Sequence, residues 1–247
     1  MHRRRLIVIL MLIVGVLMVT GCSPGTVSPI DADNSFWDKY FVAPLSDALD
    51  WFKEFLGNYG YSIIVLTIII RFFLLPLTLK QMKSSKAMQK IQPEMQKLRE
   101  KYKNDQQKMQ QETMKLFQKH NVNPMAGCLP LLVQMPILIA FYQAIMRNEH
   151  IFEANFLWLE LGSADPYYIF PLLAAVTTFL QSIVMGMGDN PQTRLFLWIM
   201  PIMIFVLAFN FPSALSVYWV ISNLFTMVQY AILGDKFKAK KSEAPAK

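Results

Sequence analysis

The chain has 247 residues, of which 54% are apolar and 17% charged, and its mean hydropathy is positive at +0.31. Soluble domains carry roughly 25% charge, and here the charge is also clustered. Eleven of the 24 Lys+Arg lie between positions 80 and 119, and five more follow Leu233. Long apolar runs between charged blocks argue against an ordinary soluble domain and predict membrane spans, and basic blocks beside spans are cytoplasmic anchors rather than a nucleic-acid face. The three histidines and two cysteines are scattered, with no CxxC, HExxH or phosphate-cradling glycine loop. Nothing points to a metal, a cofactor or a catalytic residue, so the expected class is not an enzyme.

Residues 1–22 read MHRRRLIVILMLIVGVLMVTGC. Three arginines, an apolar stretch and small residues before Cys22 have the order of a signal peptide. The box resembles a bacterial lipobox, in which Cys22 becomes the lipidated first residue after 1–21 are removed. An uncleaved first span with a buried cysteine is the alternative. Residues 22–36 are rich in Ser, Pro, Gly, Asp and Asn, a composition for a tether rather than a domain.

Across 37–57 the residues Trp37, Tyr40, Phe41, Leu45, Leu49, Phe52 and Leu56 recur mostly three or four apart between charges. This predicts an external amphipathic helix, or a pair broken near Pro44, that is too polar to span. Five candidate spans follow at 61–79, 131–146, 167–187, 195–211 and 214–233, close to the roughly 20 residues a crossing needs. An external start then places the tail 234–247 and the segment 84–120 in the cytoplasm. The loop after the second span opens with Arg147 and then holds Glu149, Glu153, Glu160 and Asp165 with no further Lys or Arg. That asymmetry gives the same orientation.

In 84–120, Met88, Ile91, Met95, Leu98 and Tyr102 form one helical stripe, and Met109, Thr113, Leu116 and Phe117 a second, separated by Asn104-Asp105. Two narrow stripes predict an antiparallel helical hairpin, with Pro93 a kink or a new start. It is either a solvated connector or a docking arm for a ribosome, a nascent chain or another membrane component. Pro124, Pro130 and Pro136 make re-entry into the membrane irregular, and Cys128 reads as a packing residue.

Arg71 is the leading candidate site residue. It sits inside the first apolar run, roughly 12–15 Å from either end at 1.5 Å per residue, beyond the reach of a snorkelling side chain. No span contains Asp or Glu, so water is the expected partner for its charge, and a polar concavity must reach mid-depth. Thr67, Gln134, Gln143, Thr177, Thr178, Gln181, Ser182, Ser216, Tyr218, Trp219, Ser222, Asn223, Thr226 and Gln229 could line it. Ser216, Trp219 and Asn223 share one helical face. Each polar residue alone is equally a candidate for glue between helices. A positive, hydrated groove could receive an acidic or polar segment of another polypeptide while an apolar segment slides into lipid. An anion channel or small transporter would also use a buried arginine, and a structural assembly factor is a third reading.

Three strings carry a resemblance: IIIRFFLLPLTLKQMKS around Arg71, NPMAGCLPLLVQMPILIAFYQAI from Asn123, and FPSALSVYWVISNLFTMVQ from Phe211. Their order and spacing resemble the YidC-type membrane protein insertases, in the lipoprotein form of Gram-positive bacteria. The resemblance implies an all-α polytopic protein with five helices around a hydrophilic groove open to cytoplasm and lipid. It implies that Arg71 is the groove's positive charge, with Gln181 and Trp219 as further groove positions and a mobile hairpin at 84–120. Nascent membrane proteins and the lipid bilayer are the implied partners, with the Sec translocon and the ribosome beside them. No cofactor is implied.

Overall fold

The computed structural model describes residues 28–120, 122, 129–189 and 194–234. The signal peptide, Cys22, Pro124, Cys128 and the tail beyond Gly234 lie outside the described residues. What is described is mostly helical. A π-helical turn, Asp38–Val42, runs into α1, Ala43–Leu56. Pro44 sits at the start of α1, where its missing N–H costs nothing. Gly57, in the left-handed conformation at φ 74°, ends the helix. α2, Tyr59–Phe73, follows at an angle of 120° to the helical segment Asp38–Leu56.

The candidate first span is interrupted. α2 stops at Phe73, and α3 runs separately over Leu75–Lys101. Pro76 contributes to the break: it has no N–H to give to Phe72, which removes one rung of the helical ladder here. The leucine N–H at 74 closes α2 on Ile70 O at 2.9 Å. The first hairpin helix therefore begins nine residues before Ser84 and continues through Pro93 without ending. α4, Gln106–Lys119, is capped by Asp105, whose carboxylate accepts the Lys108 N–H at 2.9 Å. The two helices pack through Ile91, Phe117 and Val122, flanked by Met88 and Met95.

α5, Leu129–Arg147, and the short α6, Glu149–Phe152, lead to a two-stranded ribbon. β1 (Asn155–Phe156) pairs antiparallel with β2 (Leu159–Glu160), where the sequence suggested only loop. Asp165, read from sequence as a topology marker, is buried and caps the next helix. It accepts from Tyr167 N–H at 3.0 Å, Phe170 N–H at 2.8 Å and the Trp158 indole at 3.1 Å. α7 (Ile169–Val184), α8 (Arg194–Asn210) and α9 (Ser213–Gly234) complete the bundle. Among the described residues, the 213–233 stretch of α9 is the one helix long and apolar enough to cross a membrane unaided. α7 and α8 are apolar but shorter.

The main core joins α2, α5, α7, α8 and α9 to α1. Leu49, Ile63, Phe141, Ile145, Leu215 and Tyr218 are its largest fully covered members. α7 packs closely on α8 and α9, and α9 on α2. α5 is different: its broader contacts are with α6, α1 and the π-helical turn, and its backbone meets α9 and α3 at fewer points. A polar seam lies at the α1 end. Asn148 donates to Ser46 Oγ at 2.8 Å and to Asp50 Oδ2 at 3.0 Å, and Tyr59 donates to Asp50 Oδ1 at 2.7 Å.

A candidate substrate groove around Arg71

Arg71 stands in the last turn of α2, next to the Pro76 break. A cation at a helix C-terminus faces the negative end of the helix dipole. Its half-buried side chain donates from Nη2 to Gln134 Oε1 at 3.2 Å, and Gln134 Nε2 donates to the Tyr218 hydroxyl at 2.6 Å. The guanidinium is a donor only, so the amide oxygen must face it and the amide nitrogen must face Tyr218. Tyr218 is itself covered, with its ring 5.0 Å from Phe141. The chain Arg71–Gln134–Tyr218 thus links α2, α5 and α9. No described carboxylate pairs with Arg71.

The other candidate residues separate into groups. Thr67 lies one turn before Arg71, fully buried, and donates to its own helix at Ile63 O, 2.6 Å away. Asn223 faces α7: its amide nitrogen reaches Thr177 Oγ1 at 3.0 Å and Thr178 Oγ1 at 2.9 Å. Trp219 is covered within the apolar core. Ser216 is fully buried, and its hydroxyl has no hydrogen-bond partner among the described residues. The same holds for Ser222 Oγ and Gln181 Oε1. Gln181 Nε2 lies 3.6 Å from Met185 Sδ.

A second polar line on α9 received less weight from the sequence. Tyr218, Ser222, Thr226 and Gln229 follow one another at four, four and three residues, which keeps them on one face. This line runs from the Arg71 network toward α3, where Gln229 donates to Thr78 Oγ1 at 2.7 Å. Gln89 of α3 donates to Met185 O at 2.8 Å, which ties the same helix to the end of α7. The spacing of these residues was legible in advance. That this face, adjacent to the one with Ser216, Trp219 and Asn223, meets Arg71 and α3 was not.

Sequence reasoning also missed an ion pair at the α1 end. Arg147 Nη1 donates to Asp38 Oδ1 at 2.7 Å and Nη2 to Oδ2 at 2.5 Å. Arg147 Nε and Nη2 donate further to the Ser28 and Pro29 carbonyls, each at 2.8 Å. The fork of the guanidinium holds the Asp38 carboxyl below the usual carboxylate range. One turn along α5, Gln143 Oε1 accepts from the Trp37 indole at 2.9 Å.

Comparison with known proteins agrees with the resemblance in the sequence. The family model described as 60Kd inner membrane protein matches residues 51–241. The membrane protein insertase MisCA of Bacillus subtilis (strain 168) is 55% identical, over 99% of this chain and 97% of its own length. The membrane protein insertase YidC 2 of Bacillus anthracis is 51% identical, over 97% of this chain and 98% of its own. Among solved structures, an active YidC insertase crystal structure with the first transmembrane domain resolved superimposes with a TM-score of 0.64 at 28% identity. That match covers 79% of this chain and 46% of the solved one. The chain belongs to the 60Kd inner membrane protein family, the family of the YidC membrane protein insertases.

Proposed function

We propose that the chain is a membrane protein insertase and chaperone, which inserts newly made membrane proteins and helps them fold, alone or beside the Sec translocon and the ribosome. Its relatives of matching length are named membrane protein insertases, and such proteins perform no covalent chemistry. The segments 61–79, 131–146, 167–187, 195–211 and 214–233 span the bacterial cell membrane, the first as two helices meeting at Leu74. The external helix lies on the outer interface, and Cys22 carries lipid outside. The hairpin formed by α3 and α4 and the basic tail are cytoplasmic.

The observation that carries the mechanism is the pairing of Arg71. Its charge meets the neutral oxygen of Gln134 and no described carboxylate, so its field is not cancelled inside the bundle. The unpaired Gln181 Oε1, Ser216 Oγ and Ser222 Oγ call for hydration, since a buried oxygen left unmet costs about 1–3 kcal/mol. A hydrated, positive groove draws in an acidic or polar segment of an incoming chain and shortens the apolar barrier that segment must pass. The apolar part of the substrate moves meanwhile along the lipid-facing helices.

The test compares Arg71→Ala and Arg71→Lys in lipid vesicles, using a single-span substrate with an acidic external segment and the same substrate with that segment neutralised. A mid-groove charge acting over about 6–8 Å at an effective dielectric near 20–40 contributes about 1–3 kcal/mol, so alanine should slow the acidic substrate by roughly ten- to a hundred-fold. Lysine should retain most of the activity. Equal effects on both substrates would refute the electrostatic role.

A further inference from the structure

The arginine outside the groove is more fully engaged than the one inside it. Four of the five N–H groups of Arg147 are used: two on Asp38 and two on the carbonyls of Ser28 and Pro29. The side chains of the pair are 14% and 5% exposed. Asp38 Oδ2 also accepts the Asp31 N–H at 2.9 Å, while Asp31 folds its own turn by accepting from Asp33 and Asn34. The external strap from Ser28 to the start of α1 is therefore gathered onto a single guanidinium. Gln143, one turn before Arg147, repeats the attachment through Trp37.

The helix that receives this strap is α5. The backbone of α5 comes close to those of α9 and α3 at few points, its side-chain contact with α9 running through Phe141 and Tyr218, and its broader contacts are with the external segment and α6. Yet α5 also brings Gln134 to Arg71. Gln134 lies 13 residues before Arg147, a separation of about 20 Å along a helix. A small tilt about the outer end moves Gln134 by ångströms, enough to break its 3.2 Å bond to Arg71. The Arg71–Gln134 geometry is thus set from the far end of the helix.

We propose that Asp38 and Arg147 are positioning residues: the pair locks the external strap onto the outer end of α5 and so fixes the depth and tilt at which α5 presents Gln134 to the groove. The pair touches no substrate. It acts through α5, and for its effect on insertion it rests on the groove reading given above.

The experiment uses the full chain in lipid vesicles, in a Cys128→Ser background, with spin labels on Val133→Cys of α5 and Leu224→Cys of α9. The measured quantity is the distance distribution between the labels. Arg147→Ala should shift and broaden it. Arg147→Lys, which keeps charge but loses the fork, should do so partly, and it serves where the alanine variant fails to fold. Exchanging the charges, Asp38→Arg with Arg147→Asp, should narrow the distribution again. Insertion supplies the second measurement. Arg147→Ala should slow the acidic substrate about ten-fold, the effect of losing one hydrogen bond to a charged group. Combined with Arg71→Ala it should add little, because both act on one element. An unchanged distance distribution in Arg147→Ala overturns the proposal, whatever insertion does. Additive losses in the double variant overturn it as well. If Arg71→Ala alone proves neutral, the groove reading fails, and the label distances still decide whether the pair sets α5.

Discussion

Asn223 tests whether a polar residue in α9 serves the substrate or its neighbouring helix. Its side-chain nitrogen reaches the Thr177 and Thr178 hydroxyl oxygens at 3.0 and 2.9 Å. Those hydroxyls already donate their own protons to the Leu173 and Ala174 carbonyls, both at 2.7 Å. The asparagine therefore fills acceptor sites that nothing else uses, at a position only 7% exposed. Hydrogen bonds between membrane helices contribute about 0.6 kcal/mol on average and up to about 1.7. Two such bonds and the small void left by truncation give a loss of about 1–2 kcal/mol for Asn223→Ala. Reversible unfolding in mixed micelles, followed by tryptophan fluorescence, would measure it, and a cycle with Thr178→Val would isolate the pair. The ratio of acidic to neutral substrate insertion should stay at the parental value. A variant of unchanged stability that loses its acidic-substrate preference would refute this reasoning and return Asn223 to the groove.

Two further perturbations probe the α1 end. Gly60→Ala would drive a methyl group into the ring of Phe156, a buried residue of β1, and overpacking of this kind costs about 1–3 kcal/mol, visible as a lower unfolding midpoint in the same micelle assay. The Asp38 carboxyl is held down first by its bond to Arg147, against the opposing effect of burial, and the Asp31 N–H lowers it further. A carboxylate lowered in the fold contributes stability that is complete above its unfolded value of 3.8 and is lost as pH falls through the folded value. Stability between pH 5 and 7 should therefore be insensitive to this pair, and the difference between the parent chain and Asp38→Asn should shrink only below about pH 4.

Local signals in the sequence were legible where one residue or one period carried them. An arginine amid apolar residues needs no partner to be seen, and Arg71 stood out for that reason. The stripes containing Ile91 and Phe117 met as their periodicity suggests, because a narrow apolar face on a polar helix has few ways to be covered. The break at Leu74 was hidden: the apolar run continues past Pro76, and average hydropathy does not register a missing N–H. Asp38 and Arg147 were visible only as charges on one side of the membrane. They are 109 residues apart, and nothing local in either segment says that one completes the other. Asp165 was likewise read by its charge, and its use as a helix cap depends on a turn that composition does not encode.

The division among the candidate residues follows from what each side chain has left to offer. Thr67, Asn223 and Gln229 have a hydrogen bond to their own helix or to a neighbour, and in an apolar surround that bond is not readily given up, because breaking it leaves two groups unmet. Such residues hold helices at fixed separation, and that separation is what a groove requires of its walls. Arg71 is in the opposite position. One of its donors is on Gln134, and a planar guanidinium can add a carboxylate through two parallel bonds without releasing the first partner. The wall residues and the charge are thus two classes with different tolerances. In the proposed groove, substitutions in the first class should register as stability, and substitutions of Arg71 as selectivity for acidic substrates. On that reading the substrates favoured can change through the groove charge while the helix contacts around it stay as they are.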